Sequence, residues 1–177
     1  MKRLLAAALA AVAMGAFSAP SFAATIEEDR AKIQNVVETF RVSVIKKDSG
    51  TFMKLFLKPD IPWIGVVSNR TLARDIASKP DPKMPDRQKV SASGSPKKFI
   101  DYITQEKELI EETFDNVRID TDGDVAQVWF DYIFITGGYK QNWGKESWHM
   151  VNTKDGWKIS SVIWSMEFNP EPRPKQK

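Results

Sequence analysis

The chain has no cysteine and a single histidine among its 177 residues. The first absence excludes disulfides, thiol nucleophiles and cysteine-based metal sites. The second leaves no HxxH or HExxH spacing, so neither a metal nor a cofactor is expected. No Gly-rich phosphate loop, no G-x-S-x-G elbow and no serine triad with a spare histidine is present. Charge of one sign is also scarce. The formal balance is +3, to which Lys2 and Arg3 contribute, too weak a bias to predict nucleic-acid binding. The N-terminal apolar run, residues 4–17, falls short of the roughly 20 residues that span a bilayer, so no membrane span is expected.

That run reads instead as a secretory leader. Lys2 and Arg3 form its basic start, and Ser21-Phe22-Ala23 places small residues where a signal peptidase reads them, predicting cleavage before Ala24. The expected address is periplasmic or secreted. Residues 24–168 then form one domain, long enough to bury a core without disulfides. Residues 169–177, with Pro170, Pro172 and Pro174 among charges, are expected to be an extended, loose tail.

The periodicity predicts a helix over 26–47. Ile33, Val36, Val37, Phe40 and Val44 form one apolar stripe, Thr25 is a candidate N-cap, and Glu27, Glu28 and Asp29 suit the positive end of the dipole. A short helix over 51–57 carries Phe52, Leu55 and Phe56, and Pro59 and Pro62 prevent its continuation. Residues 63–67 read as a strand. Residues 68–95 lose all pattern around Pro80, Pro82 and Pro85, as in a lid or a disordered connection. Their Arg70, Arg74, Lys79, Lys83, Arg87 and Lys89 suggest either a basic flap or a solvated loop. Ser95-Pro96 restarts a helix with a cap and an N1 proline, burying Phe99, Ile100 and Ile103 with Tyr102 beside them. Strands follow at 109–119 and 124–135, and a last hairpin turns at Asp155-Gly156, read as a type I′ turn. Helices first and antiparallel strands after are the α+β pattern.

The N-terminal helix with Phe40, the Phe52-x-x-Leu55-Phe56 piece, and Glu146-Ser147-Trp148 followed by Asp155-Gly156-Trp157-Lys158-Ile159 carry a resemblance. Over residues 25–168 the chain resembles the nuclear transport factor 2-like (NTF2-like) superfamily, also called SnoaL-like or ketosteroid-isomerase-like, as an exported bacterial-type member. The resemblance implies a cone of N-terminal helices packed on a strongly curved antiparallel sheet around a pocket, commonly in a homodimer through the outer sheet face. It fits isomerases, dehydratases, hydrolases, binding modules and association domains alike.

Strand parity sorts the side chains. With the turn placed within residues 136–143, cross-strand partners sum to about 280, which sets Tyr132 against Trp148, Phe130 against Met150 and Asp131 against His149. The Asp155-Gly156 turn sets Trp148 against Ile163 and Met150 against Ser161. Val128, Phe130, Tyr132, Phe134, Glu146 and Trp148 then face the helices, together with Met150, Trp157, Ile159, Ser161 and Ile163. Trp129, Asp131, Ile133, His149, Val162 and Trp164 face out. An aromatic-lined pocket for a small hydrophobic or amphipathic molecule is the leading expectation, with Tyr132, Trp148, Glu146, Ser161, Tyr102 and Trp63 as ligand contacts and Ser165 as a further polar group. The alternative is an isomerase, dehydratase or hydrolase using Glu146, or an Asp131–His149 pair as oriented base. The third is a dimeric or partner-binding module whose interface uses Trp129 and Trp164.

Overall fold

The computed structural model describes residues 22–174, so the leader assigned to 1–23 lies, but for its last two residues, outside the described residues. Helix α1 spans Phe22–Lys46 and buries the expected stripe, with Ile33 and Val44 fully inaccessible. It begins before Thr25, which therefore lies inside the helix instead of capping it. Lys47, at φ 55°, takes the left-handed conformation that ends helices, and Asp48 accepts the Thr51 N–H at 2.9 Å to start α2, Ser49–Met53. This helix is shorter than expected. Leu55 and Phe56 leave it to bond with the sheet, where Leu57 N donates to Ile159 O at 2.9 Å and Ile159 N to Leu55 O at 2.8 Å.

Strand β1 occupies Trp63–Val67, as the sequence predicts. The connection after it is structured. Ser68 accepts the Thr71 N–H at 3.0 Å and opens α3, Asn69–Ala77, and Val90–Ser91 forms β2. The segment is strapped down by its own charges. Arg74 donates to Phe168 O at 2.7 Å and pairs with Glu167, Arg87 pairs with Asp75 at 2.5 Å and covers the Phe168 ring, and Lys79 pairs with Asp86. Helix α4, Pro96–Gln105, starts on Ser95 as predicted and buries Ile100 and Ile103. Gly94 lies so close over Trp63 that a Cβ there would sit 2.5 Å from the indole.

The remaining strands are β3 (Ile110–Thr121), β4 (Val125–Thr136), β5 (Tyr139–Thr153) and β6 (Gly156–Phe168). The six-stranded sheet has the order β2-β1-β6-β5-β4-β3, antiparallel except for β1 against β6. Helices on one face of a curled sheet make an α+β cone.

The registers differ from those read in the sequence. Gly137 and Gly138, at φ 56° and 78°, make the β4–β5 turn with two residues only, and a bulge at Gln141 adds one more on β5, so Asp131 pairs with Lys145, Tyr132 with Gly144 and Val128 with Trp148. The slip is even, so the faces of β4 and β5 keep their assignment. At the last hairpin the turn residues are Lys154 and Asp155, and Gly156 at φ 88° takes the left-handed position after them; the turn is not type I′. Farther along, Ser160 bulges between Ile159, opposite Met150, and Ser161, opposite His149. That one residue inverts the rest of β6. Val162 is buried, Trp164 packs on Trp63, and Ile163 is 44 % exposed.

The closed end of the cone is a dry core, in which Val128, Phe130, Trp148, Met150 and Ile159 are at most 1 % exposed. Within the proline-rich tail, residues 169–173 bond to the sheet and to Glu108. Asn169 N donates to Gln141 O at 2.9 Å, the Tyr139 hydroxyl donates to Glu171 O at 2.6 Å, and Arg173 pairs with Glu108.

Candidate functional site

The other end of the cone holds a cavity of about 170 Å³. Phe40 of α1, Trp63 of β1, Phe99 of α4, Phe134 of β4 and Trp164 of β6 give it aromatic walls. Its polar groups are Glu112, Tyr132, Asn142 and Glu146. Glu112 shares a face with Ile110 and Phe114 on β3 and so points inward, and it is 5 % exposed. Glu146 enters from β5 and is 4 % exposed.

The two carboxyls are unequally supported. Glu146 accepts the Trp148 indole N–H at 2.5 Å. Glu112 Oε2 is a buried side-chain atom with no hydrogen-bond partner among the described residues. Burial pushes the Glu146 carboxyl up to about 7, against the smaller opposing effect of the indole bond. Burial and then the charge of Glu146 drive Glu112 well above the ordinary carboxylate range. Glu112 is therefore the carboxyl of the pair that keeps its proton when Glu146 ionises.

Tyr132 is positioned by a gap. It pairs directly with Gly144, which offers no side chain on the inner face, and its hydroxyl lies 2.8 Å from Asn142 Oδ1 and 2.9 Å from Ser165 O on the next strand. A Cβ on Gly144 would fall 2.1 Å from that same carbonyl. The β5–β6 ladder opens here, and Lys145 N donates instead to Ser165 Oγ at 3.0 Å. Burial, followed by the two carboxylates, raises the phenol above its usual range.

The residues singled out in the sequence therefore divide. Glu146, Tyr132 and Trp63 line the cavity. Trp148 is fully buried behind it and orients Glu146. Ser161 lies on the outer face beyond the bulge, 2.9 Å from His149 Nδ1, and Tyr102 is 45 % exposed on α4. Asp131 does not meet His149; it pairs with Lys145 and accepts the Asn116 amide at 2.7 Å, which together lower its pKa, while His149 lies opposite Gln127. Trp164 belongs to the cavity, and Trp129, 40 % exposed, stays outside. Glu112 went unnoticed in the sequence, although its place between Ile110 and Phe114 on an alternating strand marks it as inward-facing. Among the described residues no group of three or more His, Asp or Glu side chains could hold a metal, and no helix is long and apolar enough to cross a membrane.

No protein-family model and no curated protein matches the chain. Solved structures do. An NTF2-like protein with a cystatin-like fold from Novosphingobium aromaticivorans aligns over 86 % of this chain and 92 % of its own, at 12 % identity and a TM-score of 0.58. The fold is NTF2-like. An NTF2-like superfamily protein from Salmonella enterica serovar Typhimurium covers 82 % of this chain and 96 % of its own, at 15 % identity and a TM-score of 0.56. A Streptomyces avermitilis protein of the NTF2-like family, provisionally named a dehydratase, covers 80 % and 97 % at 16 % identity and a TM-score of 0.52. Identities this low establish the NTF2-like architecture and leave the chemistry to the site.

Proposed function

We propose that the protein binds a small amphipathic molecule in the cavity, its apolar body against the aromatic walls and a polar group at the Glu112–Glu146 pair. The observation that carries this reading is the 5 % exposed Glu112 carboxyl, its Oε2 unpartnered, in the wall of an aromatic-lined cavity. A buried polar atom without a partner is costly, and a ligand that satisfies it recovers that energy on binding. Trp63 and Trp164 line the cavity and report its occupancy. Saturable quenching of tryptophan fluorescence by a small aromatic compound is expected, and Phe99→Trp, which fills the cavity, abolishes it. Quenching that survives the filled cavity sinks the reading.

A second reading is favoured by one observation, the Glu146 pKa of about 7. A carboxylate poised there is matched to general base work near neutral pH, with protonated Glu112 as the hydrogen-bond donor. The provisional name of the Streptomyces protein is compatible with such chemistry. Turnover that rises through pH 7 and disappears in Glu146→Gln, with binding retained, is its signature. The same proposal includes export through the 1–23 leader and a homodimer through the outer face, now with Ile163 beside Trp129 in place of Trp164. Native mass spectrometry tests the dimer, and Trp129→Ala is expected to weaken it.

A further inference from the structure

We propose that the molecule this pocket takes is a compact organic cation, an amine or quaternary ammonium with an apolar body. The inference rests on the ligand-pocket reading above and narrows it to one charge class.

Glu112 from β3, Tyr132 from β4 and Glu146 from β5 are the cavity's titratable groups, and the α1, α4, β1 and β6 walls contribute only apolar or aromatic side chains. No Lys, Arg or His lines it among the described residues. Lys145, adjacent to Glu146 in sequence, points to the other side of the sheet and is held by Asp131. The donors nearest the carboxyls are already engaged: the Trp148 N–H goes to Glu146, and the Tyr132 hydroxyl goes to Asn142 Oδ1 or Ser165 O. Neither donates to Glu112, whose Oε2 is unpartnered, and no positive side chain balances the two acids.

Each charge class meets this lining differently. An anion would confront two acids with no counter-ion. A neutral guest leaves both carboxyls to suppress their charge by holding protons. A cation supplies the missing counter-charge, and the rings supply the rest. The Trp63 ring centre is 5.5 Å from those of both Phe99 and Trp164, at interplanar angles of 45° and 62°. All three rings line the cavity, and an aromatic ring within about 6 Å of an ammonium group attracts it. The volume of about 170 Å³, the share of about six waters, limits the guest to a compact body.

Benzylamine and benzyl alcohol separate these cases, being nearly the same shape and differing in charge. Titrated into the full-length protein at pH 8, benzylamine is expected to quench tryptophan fluorescence with an affinity about tenfold tighter than benzyl alcohol. Calorimetry at pH 6.5, in two buffers of different ionisation enthalpy, should show a proton released as benzylamine binds and none with the alcohol. The Glu112→Gln/Glu146→Gln variant should lose the preference while still taking the alcohol. Equal affinities in the wild type, or an undiminished amine preference in the double variant, overturn the cation assignment and leave the pocket reading standing. If neither compound binds, both fall.

Discussion

Asp131 and Glu146 lie on adjacent strands a single register step apart, and their environments are opposite. Asp131, on the outer face, has the Lys145 ammonium and the Asn116 amide beside it and titrates below the ordinary value. Glu146 follows Lys145 in the chain, so the pleat turns it inward, where one indole N–H is its support and its carboxyl rises to about 7. The lesson is that position in the sheet says little about a carboxyl's charge at neutral pH; the side of the sheet decides it. Outside, solvent and mobile counter-charges stabilise the ion. Inside, the ion must be matched by the protein or a guest.

The strongest way to break this comparison is to remove the inner support. Trp148→Ala deletes a fully buried side chain and the donor to Glu146, and an unfolding free energy lower by about 3–5 kcal/mol is expected in urea titration. Trp148→Phe keeps most of the packing and should lose about 1–3 kcal/mol, with the Glu146 pKa moving further up in carbon-13 NMR.

The pH dependence is next in size. An unfolded glutamate releases its proton near 4.5 and folded Glu146 near 7, so between those values the folded state binds more protons. The contribution of Glu146 to stability is therefore complete below pH 4.5 and declines as pH rises through 7. Glu112 extends the decline to higher pH. Glu112→Leu should flatten the slope and raise stability at pH 8 by about 1–2 kcal/mol. A wild-type melting temperature that stays level or climbs from pH 5 to 8 would contradict the buried pair.

Gly144→Ala adds a methyl 2.1 Å from the Ser165 carbonyl and should lower stability by about 1–3 kcal/mol while shifting the Tyr132 fluorescence or NMR signals. The smallest effect belongs to the outer face. Asp131→Asn should leave the denaturation midpoint at pH 7 unchanged, since exposed ion pairs contribute little. A change as large as that of Glu112→Leu would erase the contrast between the faces.

Much of the fold is legible in the residues because its signals are local. The stripe on α1, the Ser95-Pro96 start of α4, the exact extent of β1 and the even-numbered inner faces of β4 and β5 all follow from spacing and capping. Helix α3 was hidden by the prolines that follow it, although Ser68 is a proper cap. The candidate site was half legible: Glu146, Tyr132 and Trp63 could be proposed from parity and aromatic character. Trp164 and Ser161 changed sides because the Ser160 bulge leaves no mark in an alternating pattern.

The sequence by itself set most of the strands and the apolar faces of β4 and β5, since both depend on neighbours a few positions away. Only the tertiary structure decided that Glu112 of β3 and Glu146 of β5, separated by a whole strand, look into one cavity. Sheet curvature, the two-residue β4–β5 turn and the bulges at residues 116–117 of β3 and Gln141 of β5 bring them there, and no local pattern encodes these.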